Sequence, residues 1–374
     1  MSSPSTPEPV TIRKVVVTKF SPDPSESLAI VTAILPPPPA SHVQVQVLYS
    51  GFSGADVAMA RGLYPMQRSA PLTPGYCMVG RVVSAGPRAC GRPNTDWEQG
   101  TLVTALTVYD SEAERINIQE KYLIRVPEGI EPTVATALTL DWNTAYGMVE
   151  HAARVRPGQS VFVHGLSGAV GYALATLCLL RGATVFGTAS ERNHATLAGL
   201  GVTPFVYTNK DWIDAVQTQG GVDAVFDPLG FQSWEESYSI LATTRPSVLV
   251  GYGGNQHLLP SSSEKEAGDN EAVALRKTLL PTQVPQIVKL VAKNIKRFIG
   301  DNRRTVFYYI DRDHKDFRPD LEAVMDLCRT GKITVPIKTT WSLDQVRDAH
   351  RGWGRKEGMG SMVIKCSELP QESG

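Results

Sequence analysis

The sequence predicts an α/β chain in two parts, an irregular barrel-like β domain followed by a doubly wound parallel sheet. Three observations predict it. Short β-type runs separated by glycine and proline fill residues 12–126. From Val161 onward, β-rich runs alternate with helical patterns at the spacing of βαβ crossovers. Between the first of these strands and its helix lies a turn punctuated by Gly165, Gly168 and Gly171.

Residues 1–10 are rich in Ser, Pro and Thr without an apolar core, which predicts a disordered tail and neither a signal peptide nor an anchor. Residues 14–19 and 28–34 read as strands, and the prolines at 36–39 as a stiff connector. In 42–49, Val43, Val45 and Val47 alternate with Gln44 and Gln46, the pattern of a strand with one face in the core and one in water. Further short strands are expected at 80–84, 101–105 and 120–126. Val161, Phe162 and Val163 form the strand before the glycine turn. From Ala169 apolar residues run almost unbroken to Leu180, as in a helix buried against a sheet. Strands at 184–188, 204–207, 222–227 and 247–251 then alternate with helices at 192–200, 210–218 and 232–241. A polar surface loop is expected at 261–270, and an amphipathic helix with its basic residues outside at 284–298. Residues 319–329 read as a helix, and 333–339 and 362–366 as strands.

In a doubly wound sheet, ligands sit beyond the carboxyl ends of the strands. That gathers 165–171, 188–192, Tyr207, 227–230 and 251–254 around one crevice. Glycines without a Cβ let a phosphate approach the backbone, and the free N–H groups at a helix start favour an anion. The bare pattern is Gly-x-x-Gly-x-x-Gly, with Leu166 where the usual first motif glycine would fall, and the same turn also serves to join strand to helix without a ligand. The repeating strand–helix context selects a dinucleotide, with Gly165, Ser167, Gly168, Ala169, Val170 and Gly171 at its pyrophosphate. Gly230, Gly251, Tyr252 and Gly253 line the same crevice. An NAD site ends its second strand in a carboxylate; here that strand ends Thr188-Ala189-Ser190, and Arg192 follows. A cation in the first turn of a helix opposes the dipole, so Arg192 calls for a partner, and with Ser190 it suits the 2′-phosphate of NADPH.

Composition bounds the rest. At 374 residues the chain exceeds one small core and predicts two domains. Equal numbers of acidic and basic residues, 37 each, give no basic surface for nucleic acid or a membrane. The five cysteines, Cys77, Cys90, Cys178, Cys328 and Cys366, are scattered, which fits neither a disulfide framework nor a Cys-x-x-Cys site and predicts a reducing, cytoplasmic setting.

Several segments together carry a family likeness: Gly51-Phe-Ser-Gly-Ala-Asp56, Arg61-Gly-Leu-Tyr-Pro65, Pro74-Gly-Tyr-Cys-Met-Val-Gly-Arg-Val82, Leu123-Ile-Arg-Val-Pro127, Leu140-Asp-Trp-Asn-Thr-Ala-Tyr146, 163–171 and Gly331-Lys-Ile-Thr-Val-Pro336. In order and spacing the chain resembles the medium-chain dehydrogenase/reductase superfamily, in its zinc-independent quinone oxidoreductase and enoyl reductase branch. The resemblance implies a GroES-like catalytic domain from 11–135 and 313–374, and a Rossmann nucleotide-binding domain over 136–312. It also implies homodimerisation through an edge strand near 305–309.

Zinc-dependent relatives place metal ligands where this chain has Ser53, Tyr76 and Leu140, and Cys90 stands alone where their structural zinc lobe has four cysteines. Those side chains are not a zinc set, so a metal-free protein is expected. Without a Lewis acid the easier hydride acceptor is a conjugated C=C, as in an enone, enoyl thioester or quinone. The resemblance sets Tyr64 over the nicotinamide as candidate proton or hydrogen-bond donor, or as a packing residue. It gives Ser53 a ribose or substrate oxygen, and Asn143 and Thr144 cofactor contacts, with N-capping as the plain alternative. Tyr64, Tyr76, Trp142 and Tyr252 are candidates to line an apolar pocket, and Asp141 is either catalytic or solvated. Cys77 in place of the usual Glu, and a long segment at 260–304, point towards a secondary-metabolite tailoring reductase. A zinc-free ketone or alcohol oxidoreductase, and a nucleotide-binding structural or regulatory protein with little turnover, are the alternatives.

Overall fold

The computed structural model describes residues 8–88, 96–259, 283–355 and 357–368. Six parallel strands lie in the order β10-β9-β8-β11-β12-β13. They are β8 (Ser160–Val163), β9 (Thr184–Ala189), β10 (Val202–Val206), β11 (Ala224–Asp227), β12 (Ser247–Gly251) and β13 (Arg303–Phe307). Val161, Phe162, Val163, Val225, Phe226, Leu249 and Val250 are fully buried, as a sheet covered on both faces requires. The strand order reverses at β8 and β11, so the crevice beyond their carboxyl ends is the topological switch point. β13 lies at the edge of this sheet.

The second unit is a seven-stranded sheet ordered β14-β15-β3-β4-β5-β7, with β6 against β3 and a separate β1-β2 ribbon. Its strands are β1 (Val10–Val17), β2 (Leu28–Leu35), β3 (His42–Phe52), β4 (Cys77–Ala85), β5 (Leu102–Leu106), β6 (Arg115–Gln119), β7 (Ile124–Arg125), β14 (Ile337–Ser342) and β15 (Ser361–Lys365). The chain's end thus returns to the first domain. Five helices matter for the site: α1 (Gly54–Arg61), α2 (Ala169–Leu180), α3 (Gln232–Ser239), α4 (Gln283–Ala292) and α5 (Phe317–Arg329). A nearly continuous helical run over 132–153, widened by π-type turns at Leu138–Trp142 and Met148–Ala153, passes between the two sheets. Apolar residues of both units meet around it: Tyr76 and Cys77 share one core with Trp142, Val163 and Tyr252.

Several expectations need correction. β3 is drier than alternation implies: Gln44 is 5% exposed and donates to Asn117 Oδ1 at 3.3 Å, its cross-strand neighbour on β6, while Gln46 is half-buried. β6 was missing from the sequence reading, and 120–126 holds a 3-10 turn plus the two-residue β7, since Leu123 N–H closes onto the Glu120 carbonyl. On 283–299 the outer face is not purely basic. Val284, Val288 and Ile295 are exposed, while Leu290 alone of that helix's apolar residues is fully buried. Val10, assigned to the tail, opens β1. Residues 1–7, the loop at 261–270 and Cys90 lie outside the described residues.

Candidate active site

The glycine turn leaves β8 and enters α2. Gly165 adopts a left-handed φ of +72°, which favours glycine, and its N–H donates to Thr188 Oγ1 at 3.2 Å. A side chain on Gly171 would overlap the Gly165 carbonyl oxygen, so the helix start lies directly on the turn. Gly165 and Gly168 are exposed, while Ser167, Ala169 and Val170 are half-buried. Among the described residues, the N–H groups of Ala169, Val170 and Gly171 have no acceptor. Three unpaired donors beside two exposed glycines fit a pyrophosphate.

Beneath the turn runs a buried polar chain that the sequence reading missed. His164 Nδ1 lies 3.2 Å from Thr188 Oγ1, His164 Nε2 lies 3.0 Å from Ser237 Oγ, and Ser237 donates to Asp227 Oδ2 at 2.7 Å. Ser233 donates to the same oxygen at 2.7 Å. One proton arrangement satisfies all of it: Nε2–H donates to Ser237, and Nδ1 accepts from Thr188, which itself accepts from Gly165. Burial holds the His164 pKa below its usual value, consistent with this neutral ring. The chain fixes Thr188, and Thr188 fixes the turn. The available signal was a polar His164 at the end of an apolar run.

At the end of β9, Ser190 precedes a 3-10 turn, Glu191–Asn193, carrying exposed Arg192. Arg192 pairs with Glu357 at 3.4 Å, and Asn193 donates to Ser167 Oγ at 2.7 Å, tying this turn to the glycines. Tyr207 is 57% exposed beyond β10 and, with Thr188, His164 and Trp212, lines a cavity of about 200 Å³ at the strand ends. Gly230 and Gly253 have φ near +83° and +84° on the loops after β11 and β12. Gly251 is packed against Trp234 and Leu290, and Tyr252 is 8% exposed, so both support the crevice from within.

In the other half, Ser53 caps α1: its Oγ accepts from Ala55 N–H and donates to Asp56 Oδ2 at 3.0 Å. The hydroxyl is committed to the cap. Asn143, by contrast, does not cap a helix; it is 2% exposed and donates to the Phe317 carbonyl on α5 at 3.3 Å. Thr144 is buried beside it. Trp142 and Tyr252 are core residues, not pocket lining, because Trp142 is 1% exposed and packs edge-on against Tyr172. Asp141 is not solvated. It accepts from Ser361 Oγ at 2.6 Å, and burial pushes its pKa up to about 7. Cys77 is buried against Gly51 with its pKa raised by desolvation, which rules it out as a ready thiolate.

Tyr64 and Tyr76 do come together. Their hydroxyls lie 2.7 Å apart, and Tyr76 donates on to Tyr309 at 2.9 Å. Tyr309 is 55% exposed, so three hydroxyls run from half-buried Tyr64 through buried Tyr76 to solvent. Tyr76 stands at a zinc-ligand position of the resemblance, with its hydroxyl spent on tyrosines. Among the described residues no group of three His, Cys, Asp or Glu side chains could hold a metal. The donor set does not fit zinc, and purified protein is expected to carry only trace zinc by elemental analysis; a stoichiometric amount would overturn this. Among the described residues no helix is long and apolar enough to cross a membrane.

Residues 39–146 match the family described as alcohol dehydrogenase GroES-like domain, and residues 200–364 the family described as zinc-binding dehydrogenase. The synaptic vesicle membrane protein VAT-1 homolog of Danio rerio is 30% identical over 339 residues, covering 89% of this chain but only 66% of that protein. A probable quinone oxidoreductase of Schizosaccharomyces pombe is 24% identical over 348 residues, covering 92% of this chain and 95% of that protein. Among solved structures, human VAT-1 homolog-like protein superposes with TM-score 0.74 at 22% identity, over 96% of this chain and 99% of that one. Mycobacterial Rv1454c complexed with NADPH gives 0.74 at 20% identity, and CurK enoyl reductase 0.72 at 20%, each over 95% of this chain and 99% of the other. With both halves matched in order and the zinc-ligand positions filled by Ser53, Tyr76 and Leu140, the chain belongs to the zinc-independent branch of the medium-chain dehydrogenase/reductase superfamily.

Proposed function

We propose that the chain is an NADPH-dependent oxidoreductase that reduces a conjugated C=C of an enone, enoyl thioester or quinone. The observation that carries it is the Tyr64–Tyr76–Tyr309 hydroxyl chain, whose Tyr76 stands at a zinc-ligand position of the family likeness. The likeness to a probable quinone oxidoreductase and to an enoyl reductase supports the same reading. We take 11–135 with 313–374 as the catalytic part, 136–312 as the nucleotide part, and the β13 edge as the seam of a homodimer.

NADPH, when bound, supplies the hydride. The N–H groups of Ala169, Val170 and Gly171 hold its pyrophosphate, and Arg192 faces its 2′-phosphate. Negative charge then collects on the substrate oxygen, and Tyr64 donates to it. In the resting arrangement the protons point outward, towards Tyr309. Hydroxyls rotate, so the chain reverses as a unit: Tyr309 donates to Tyr76, Tyr76 to Tyr64, and Tyr64 to the substrate. Water at exposed Tyr309 replaces the proton. Burial raises the pKa of Tyr64 and of Tyr76, which favours neutral donors over tyrosinates throughout.

The test is loss of NADPH absorbance with a panel of enones, enoyl thioesters and quinones. Tyr64→Phe is expected to lower kcat about tenfold while leaving the NADPH Kd unchanged. Tight NADPH binding without oxidation by any acceptor would replace this reading by a nucleotide-binding partner role. Deuteride from labelled NADPH appearing at a carbinol carbon would replace it by ketone reduction.

A further inference from the structure

The end of β9 is faced by the other half of the molecule. Lys338 on β14 is half-buried, with its stem beside Gly358: a Cβ there would lie 3.6 Å from Lys338 Cγ. Among the described residues Lys338 has no ion-pair partner, and its pKa is held below the usual lysine value by burial and by the positive charge of Arg192. Among the described residues Arg192 pairs with Glu357 alone, which is 82% exposed, and such a rim pair is weak. Glu357 lies on the loop that enters β15, where Gly360 N–H donates to the Ser167 carbonyl at 3.2 Å. Ser167 in turn receives Asn193, the neighbour of Arg192. The 357–358 loop therefore joins two cations of different domains beside the glycine turn: Glu357 pairs with Arg192, and Gly358 lies on the Lys338 stem. Like charges held together cost free energy until an anion arrives.

We propose that Lys338 and Arg192 form a two-domain clamp for the 2′-phosphate of NADPH, and that Lys338 determines the choice of NADPH over NADH. The proposal rests on the cofactor reading above. A phosphate monoester carries nearly two charges and three acceptor oxygens, enough for a guanidinium and an ammonium at once. It displaces Glu357 from Arg192. The hydroxyl of NADH brings no charge, so the two cations stay uncompensated in its complex.

Calorimetry tests this with NADPH, NADH, 2′,5′-ADP and 5′-AMP on the full chain and on Lys338→Met and Lys338→Arg. Lys338→Met is expected to weaken NADPH and 2′,5′-ADP at least about tenfold and to change NADH and 5′-AMP less than about twofold, with Lys338→Arg restoring most of the loss. Unchanged NADPH affinity in Lys338→Met would overturn the clamp and leave the cofactor reading intact. An equal loss for NADH would reduce Lys338 to a packing residue. Failure of the unaltered protein to bind either dinucleotide would overturn the cofactor reading and the clamp together.

Discussion

The Gly171→Ala protein is expected to lose NADPH affinity about 100-fold or more and to unfold about 2–4 kcal/mol more easily. The added methyl would overlap the Gly165 carbonyl oxygen and come within 2.8 Å of the carbonyl carbon. Both are backbone atoms of the turn, so no side-chain rotation makes room. The turn must move away from α2, and the unpaired N–H groups of Ala169 and Val170 then cease to converge on one anion. The neighbouring glycines provide the control. A Cβ on Gly168 meets only the Gly165 oxygen, at 3.2 Å, and should cost much less. Gly165→Ala meets nothing within 4 Å but is strained at φ +72°, costing about 1–2 kcal/mol. Calorimetry and urea unfolding on the three variants should give the order 171, then 165, then 168.

The second large effect lies away from the nucleotide. Glu112 is fully buried, neither carboxyl oxygen has a hydrogen-bond partner, and desolvation with nearby Asp56 raises its pKa well above the usual value. Desolvation also lifts Asp56, to about 6, although Ser53 and Gly75 donate to it. Both groups hold protons more tightly folded than unfolded. Their contribution to stability is therefore complete below the ordinary carboxyl pKa near 4, and is lost as pH rises through the folded values. Glu112→Leu is expected to raise stability by about 2–3 kcal/mol at pH 8 and to leave less loss between pH 5 and 8. Urea unfolding at several pH values checks it. Parallel stability curves for the two proteins would mean that Glu112 does not retain its proton in the fold.

The parallel sheet was legible because its strands are short and mostly apolar and alternate with helices of crossover length. β12 matches its expected bounds, 247–251, residue for residue. The glycine turn was legible for the same reason: three glycines at fixed spacing act locally. What escaped depends on partners distant in sequence. Alternation put Gln44 in water, but β6, more than 70 residues on, makes it an interior hydrogen-bonding group. The resemblance gives Ser53 and Asn143 contacts with cofactor or substrate, but it does not carry the cap and the α5 carbonyl that their polar groups reach in the fold. Asp141 looked ambiguous until Ser361, 220 residues later, was placed against it. The relay from Thr188 through His164 to Asp227 draws on two strands, the turn after β8 and a helix, so no local pattern announced it. Tyr64 and Tyr76 could be singled out, yet Tyr309, which leads them to water, is contributed by the segment after β13.

Gly168 and Gly360 form a lone parallel bridge between the phosphate turn and the strand entry of the other half. Two residues without side chains touch there, so backbone meets backbone directly, while the shared core around Trp142 holds the two halves in place. The same bareness leaves the joint without a cushion: a displacement of β15 passes straight into the backbone of the glycine turn. Filling the nucleotide crevice should therefore slow amide exchange at Gly360 and Ser361 as much as at the turn itself.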